Sequence, residues 1–267
     1  MRIGWIGIGG IGLPMMLRVA RAGHRVIALD KDAARAAQAE QSGVALAASP
    51  AALGRDCDVV ILNLPGGNAV TDVVFGTEGC VAGGMAGKLL IDTSSIDPVL
   101  TRDLAARLRG FGGRWVDAPV SGGVRAAGEG ALVAFVGGAE EDAKAAQPWL
   151  ACFADRQTWL GPSGCGQWAK LVNQAIVCGT IALWSDAMKL AQDGGLDPSR
   201  LVDALTNSGA DSRVRAAFGA QIGAGDFVPS DNLAKDIATV LARLDDTNMD
   251  PALLRAVGAV IDAMRRG

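Results

Sequence analysis

The glycines at positions 7, 9 and 12 limit what this chain can become more than any other feature. They form a GxGxxG run directly after the apolar segment Arg2 to Ile8, and Leu13 to Ala22 can continue as a helix. A strand that turns so tightly into a helix lets backbone approach a pyrophosphate and aims the helix N–H groups and dipole at it. In a chain with 36 glycines, the run alone reads equally as a tight packing turn. Its setting favours the first reading. The run opens a unit of about 30 residues, and the second apolar segment, Arg25 to Leu29, ends at Asp30. A carboxylate there can accept hydrogen bonds from the adenosine ribose hydroxyls. Gly7, Ile8, Gly9, Gly10, Ile11 and Gly12, with Asp30, are therefore the expected dinucleotide site. Asp30 would repel a 2′-phosphate, which favours NAD; Lys31 and Arg35 lie close enough to leave NADP open.

Further apolar runs follow at Val59 to Leu62, Leu89 to Ile91, Arg114 to Val116 and Ala131 to Val136, separated by Ala-rich amphipathic stretches. That alternation closes a parallel sheet with helical crossovers, an α/β architecture. From Gly164 onward apolar residues recur only at helical spacing, so residues 1–162 are expected to bind the dinucleotide and residues 163–267 to be all-helical. One long helix, Gly164 to Asp193, enters the second part. Its run AIVCGTIALW is apolar, but Lys170, Asn173, Gln174 and Asp186 interrupt the surroundings, which predicts a core helix rather than a membrane span. The apolar run before the first glycines is too short for a signal peptide, so a cytoplasmic protein is expected. A net charge of −3 offers no excess of cations for nucleic acid or an acidic membrane surface.

Two absences remove whole mechanisms. Without tyrosine, a tyrosine-based proton relay is impossible, and with His24 the only histidine, no multi-histidine metal site can form. His24 precedes the second strand, at the end away from where open α/β sheets bind ligands. The five cysteines contain no CxxC pair and read as reduced, mostly buried thiols, so no metal is expected.

Three segments at strand ends remain. Asn63-Leu64-Pro65 and Asp92-Thr93-Ser94-Ser95 would lie where a cofactor's ribose and nicotinamide reach, yet they serve equally as turn and helix-capping loops. Ser121, Gly122 and Gly123 could expose consecutive N–H groups and a hydroxyl to a small carboxylate, or form a hairpin-like connection to the next strand. Among six lysines, Lys170 differs from the rest: Asn173 and Gln174 follow at i+3 and i+4 and apolar residues border it. Desolvation there would weaken its hold on its proton and make it an acid/base. Lys235 is the second candidate.

Taken together these residues resemble the β-hydroxyacid dehydrogenase family, which includes 3-hydroxyisobutyrate dehydrogenases and tartronate semialdehyde reductases. The matching motifs are GIGGIGLPM with Asp30, LP followed by IDTSSIDP, DAPVSGG with Ala127 and Gly130, GCGQWAKLVNQ, and the shorter LAKD. The resemblance implies a Rossmann-type doubly wound sheet, an all-helical C-terminal domain that dimerises, and NAD(P)-dependent interconversion of a small β-hydroxyacid and its semialdehyde. A homodimer or homotetramer would follow. The resemblance also implies roles. Gly7 to Gly12 and Asp30 would hold the adenosine half of the cofactor, and Leu64, Pro65 and Ser95 its further part. Ser121, Gly122 and Gly123 would bind the substrate carboxylate, Lys170 would be the acid/base positioned by Asn173 or Gln174, and Lys235 would approach the nicotinamide. An imine reductase of the same architecture and a non-catalytic dinucleotide sensor are the alternatives. Three departures bear on substrate choice or packing. Arg18 stands where the family commonly has asparagine near the cofactor, DFVPSDN lacks a second aromatic, and the chain ends at Met264-Arg265-Arg266-Gly267 where relatives usually continue.

Overall fold

A computed structural model describes residues 1–244 and 251–266. The chain divides into two units, Met1–Lys170 and Leu171–Gly267.

In the first unit, strands β1 (Arg2–Ile6), β2 (Arg25–Leu29), β3 (Ala45–Leu46), β4 (Val59–Leu62), β5 (Leu89–Asp92) and β6 (Arg114–Asp117) form one sheet. Their spatial order is β3-β2-β1-β4-β5-β6, and every pair is parallel. Helices α1 (Gly12–Arg21), α2 (Ala33–Gln41), α3 (Pro50–Asp56), α4 (Gly67–Phe75), α5 (Cys80–Gly83) and α6 (Pro98–Gly110) fill the connections. The strand order reverses between β1 and β4, and ligands of such sheets bind outside the carboxyl ends of the strands at that point. The strands read as unbroken apolar runs because both faces are covered. Ile3, Trp5, Val59 and Ile61 pack with Met15, Met16 and Val19 of α1 on one face. Ile6, Val60, Leu62 and Leu90 pack with Leu53, Val70 and Leu104 on the other.

The chain then adds β7 (Val120–Ser121), α7 (Gly123–Glu129), β8 (Leu132–Val136), α8 (Glu140–Leu150) and β9 (Ala154–Trp159). β7 runs antiparallel and β9 parallel to β8. Three strands escape the apolar-run criterion: β3 and β7 have two residues each, and β9 exposes most of ADRQTW as an edge strand. The first strand stops at Ile6 rather than Ile8, because Gly7 turns away with φ of +98°. The connection from Ser121 to β8 contains a helix, so it is not a hairpin.

The long helix α9 (Cys165–Asp193) starts in the first unit and continues through the second. The second unit adds α10 (Pro198–Ala204), α11 (Arg213–Ala224), α12 (Asp231–Leu244) and α13 (Ala252–Arg266), with no strand among the described residues. Its buried positions include Cys178, Ile181, Trp184, Val202, Ile222, Ile237 and Ile261. α10 and α11 pack closely: a Cβ at Gly219 or Gly223 would lie 3.0 Å from the Val202 methyls. Residues 245–250 and Gly267 of the region expected to be helical lie outside the described residues. Among those described, no helix is long and apolar enough to cross a membrane.

Candidate active site

The glycine loop is fixed by atoms that leave no room for side chains. A Cβ on Gly7 would lie 2.2 Å from the Asn63 carbonyl oxygen, and one on Gly12 2.3 Å from the Gly7 carbonyl oxygen. The first and third glycines therefore permit backbone to pass backbone where β1 and β4 part. Gly9 and Gly10 face open space instead, with nothing closer to a built Cβ than Arg35 Nη1 and Val124 Cγ2, each at 3.8 Å. The indole N–H of Trp5 donates to the Gly7 carbonyl at 3.0 Å from beneath the turn. No side chain caps the start of α1, where the Leu13 N–H donates to the Gly9 carbonyl at 3.0 Å, the Met15 N–H donates to the Ile11 carbonyl at 3.3 Å and Pro14 has no N–H. An anion would therefore meet the loop before Leu13, at the positive end of the helix dipole.

Asp30 is built into the same loop. Its Oδ2 accepts the Ile8 N–H at 2.6 Å and its Oδ1 accepts the Asp32 N–H at 2.9 Å. Asp32 in turn caps α2 and pairs with Arg35 at 3.5 Å. These residues fit a nicotinamide dinucleotide: a glycine cradle that a Cβ would fill, an uncapped helix start, and a carboxylate at the end of β2.

Beyond Asp30 the carboxyl ends of β4 and β5 are tied together. Asn63 Nδ2 donates to Thr93 Oγ1 at 3.0 Å, and the Leu64 N–H donates to Ser94 Oγ at 2.9 Å. Ser94 donates its own N–H to Asp92 Oδ1 at 2.9 Å. Leu64, Pro65 and Ser95 thus sit on segments joined by side-chain hydrogen bonds rather than on independent loops. Ser121 closes β7, while Gly122 and Gly123 begin α7 with φ of +137° and +77°. The 3.8 Å approach of a Cβ on Gly10 to Val124 shows that this turn lies beside the glycine loop.

Lys170, the last residue of the first unit, is 7% exposed. It follows the first turn of α9, which two buried groups hold to the sheet. Asp117, at the end of β6, accepts the Gly164 N–H at 2.9 Å and the Gln167 N–H at 3.1 Å. Burial pushes the Asp117 carboxyl above the ordinary carboxylate range, and the N–H groups of Gly164 and Gln167 oppose that rise. Gln167 also donates its side-chain amide to the Ser94 carbonyl at 2.8 Å and accepts the Ile96 N–H at 3.1 Å. Glycines make the seat possible: a Cβ on Gly166 would lie 2.4 Å from the Phe135 carbonyl, and one on Gly137 2.6 Å from Asp117 Oδ2.

Within the second unit, Gln174 and Lys235 meet at one carboxylate, and Asn173 joins them through Gln174. Asn173 Nδ2 donates to Gln174 Oε1 at 2.9 Å, Gln174 Nε2 donates to Asp236 Oδ2 at 2.8 Å, and Lys235 Nζ lies 3.4 Å from Asp236 Oδ1. Sequence reasoning missed Asp236, Asp117 and Gln167. The available signal for Asp236 was its place beside Ala234, Ile237 and Val240 on the buried face of α12. Arg18, at the position where the resemblance led us to expect a cofactor neighbour, donates instead to the Cys152 carbonyl at 2.6 Å and the Gly128 carbonyl at 3.2 Å. The buried Cys80 thiol is pushed up to about 12, chiefly by burial, so it stays protonated. Among the described residues, no group of His, Cys, Asp and Glu could hold a metal ion.

Known proteins match along nearly the whole chain. A family model described as the NAD binding domain of 6-phosphogluconate dehydrogenase matches residues 2–161. A second, described as NAD-binding of NADP-dependent 3-hydroxyisobutyrate dehydrogenase, matches residues 164–267. The 2-hydroxy-3-oxopropionate reductase of Escherichia coli (strain K12) is 33% identical, covering 88% of this chain and 80% of that protein. The mitochondrial 3-hydroxyisobutyrate dehydrogenase of Rattus norvegicus is 34% identical, covering 86% of this chain and 69% of that protein. Among solved structures, Mycobacterium tuberculosis 3-hydroxyisobutyrate dehydrogenase with L-serine superposes with a TM-score of 0.88 at 28% identity, covering 99% of this chain and 94% of that one. A Streptomyces aurantiacus imine reductase shares the fold more distantly, with a TM-score of 0.70 at 23% identity over 100% of this chain and 94% of that one.

Proposed function

We propose a function from one premise: this chain belongs to the β-hydroxyacid dehydrogenase family. It is an NAD(P)-dependent oxidoreductase, and we assign it the interconversion of a small β-hydroxyacid and its semialdehyde. A substrate of the 3-hydroxyisobutyrate or tartronate semialdehyde type follows from the relatives' activities.

The observation that carries this reading is the placement of Lys170. A lysine is rarely buried, and this one follows a helix turn fixed to the ends of β5 and β6 by Gln167 and Asp117, in the same unit as the glycine loop. When bound, the nicotinamide supplies or accepts the hydride. The loop Gly7, Ile8, Gly9, Gly10, Ile11 and Gly12 holds the pyrophosphate, Asp30 the adenosine ribose, and Leu64, Pro65 and Ser95 the part beyond. Ser121, Gly122 and Gly123 offer a hydroxyl and N–H groups to the substrate carboxylate. Lys170 Nζ gives its proton to the substrate carbonyl oxygen in reduction and the deprotonated amine takes one from the hydroxyl in oxidation. Asn173 or Gln174 positions Lys170, and Lys235, paired with Asp236, serves the nicotinamide side.

We assign a homodimer or homotetramer in the cytoplasm. Val172, Ile176, Leu183 and Leu190 form an apolar stripe along α9 that is 58–73% exposed, which suits a second copy of this helix. Neither membrane nor nucleic acid is assigned as a partner. Imine reduction is not favoured, because likeness to such enzymes extends to the fold alone. A non-catalytic sensor would have no need of a buried lysine.

A screen of small semialdehydes and hydroxyacids, followed by NADH and NADPH absorbance, tests the assignment. Turnover of at least one three- or four-carbon member is expected; cofactor binding without turnover of any would point to the sensor.

A further inference from the structure

We propose that Gln167 is a positioning residue for the cofactor, holding the segment around Ser95 against the helix that carries Lys170. The inference rests on the reading that Ser95 lines the cofactor beyond its adenosine half.

The Gln167 side chain is 1% exposed and spans Ser95 from both sides: its Nε2 donates to the carbonyl before Ser95 and its Oε1 accepts the N–H after it. One neutral side chain therefore supplies both a donor and an acceptor to two backbone groups that flank the same residue. A primary amide supplies both; an ionised carboxylate has no donor, and a thioether has no donor and only a weak acceptor. The tie extends further. Ser94, whose carbonyl Gln167 holds, also accepts the Leu64 N–H through its hydroxyl and donates its own N–H to Asp92. Leu64 and Ser95, from two strand ends, thus hang on one network. Gln167 is also fixed from behind, because its own N–H donates to Asp117 Oδ2. Lys170 follows three residues later, on the same side of the helix. Loss of the amide would leave the Ser94 carbonyl and the Ile96 N–H buried and unpaired, and the segment would relax toward other partners. The adenosine half rests on the glycine loop and Asp30, which Gln167 does not touch.

The test compares two ligands that differ in the nicotinamide. NADH and ADP-ribose affinities are measured by calorimetry for the full chain and for Gln167→Met and Gln167→Glu, with Leu108→Ala, a buried position of α6, as a control for lost stability. Both Gln167 variants should bind NADH about 10-fold more weakly or worse, while their ADP-ribose affinity stays within about 2-fold of the parent's. Leu108→Ala should lower the melting temperature and leave both affinities unchanged. Parent-like NADH binding in Gln167→Met, or an equal loss for both ligands in the two variants, would overturn the proposal. If the unmodified protein bound neither NADH nor NADPH, the cofactor reading itself would fall and this inference with it.

Discussion

The N–H of Ile8, inside the glycine loop, donates to Oδ2 of Asp30 at 2.6 Å, so the residue expected to select the cofactor also holds the loop in shape. The second oxygen accepts the Asp32 N–H, which links the end of β2 to the start of α2. A carboxylate has about four lone-pair sites, so two remain for ribose hydroxyls.

The double role changes what substitution should do. Asp30→Ala strands the part-buried Ile8 N–H while the exposed Asp32 N–H turns to water. It should weaken NADH binding by about 10-fold or more, since a buried unsatisfied group costs about 1–3 kcal/mol. NADPH should lose less, because the repulsion of its 2′-phosphate goes with the charge. Asp30→Asn removes the charge while keeping an acceptor for Ile8, so it should narrow the gap between NADH and NADPH with a smaller loss for NADH. Titration of both cofactors against both variants checks this. Parent-like NADH affinity in Asp30→Ala would contradict the role in the loop.

The two glycines of the proposed carboxylate cradle are not equivalent. A Cβ on Gly122 would lie 2.9 Å from Ala126 Cβ and 3.0 Å from Leu132 Cδ2, whereas one on Gly123 meets nothing within 4 Å. Gly122→Ala should therefore lower the melting temperature as well as activity. Gly123→Ala bears mainly the left-handed backbone cost of about 1–2 kcal/mol. It should raise KM for the acid substrate with NADH affinity unchanged. An unaltered KM would place the carboxylate elsewhere.

Arg18 and Gly130 are coupled. The guanidinium carbon lies where a side chain at Gly130 would stand, 2.5 Å from a built Cβ, and Gly130 ends α7 with φ of +78°. Gly130→Ala should cost about 2 kcal/mol or more, through backbone strain and displacement of the Arg18 hydrogen bonds to Gly128 and Cys152. In the Arg18→Ala background the same change should cost less, and a double-mutant cycle of melting or denaturant data measures the difference. Strict additivity would show that the two residues act independently.

Much of the first unit was legible in the sequence because it obeys local rules. Doubly covered strands leave continuous apolar runs, and the loop leaves glycines where backbone meets backbone, as Gly7 and Gly12 do at Asn63 and Gly7. The two-residue β3 and the polar edge strand β9 leave no such trace, because β3 is short and exposed and β9 buries too little of its length to need an apolar run. A different limit explains the site residues that were missed. Asp117, Gln167 and Asp236 act through hydrogen bonds spanning 47 to 73 residues, and of the three only Asp236 is marked within its own segment, by its place on the apolar face of α12. Arg18 shows the converse: its position resembles a cofactor neighbour, but Gly130 leaves its side chain space to turn to the Gly128 and Cys152 carbonyls.

The most direct measurement is the turnover number of Lys170→Ala and Lys170→Arg, taken with NADH affinity and melting temperature, on whichever semialdehyde the parent reduces. If Lys170 Nζ passes the proton, Lys170→Ala should lose about 100-fold or more in turnover, the scale of a positioned general acid. NADH affinity should be retained, because the glycine loop and Asp30 are separate from Lys170 in the chain. Lys170→Arg should recover little, since a guanidinium keeps its proton at any accessible pH. A Lys170→Ala protein that turns over at the parent's rate would contradict the mechanism, and near-normal activity in Lys170→Arg would reduce the lysine to a packing role.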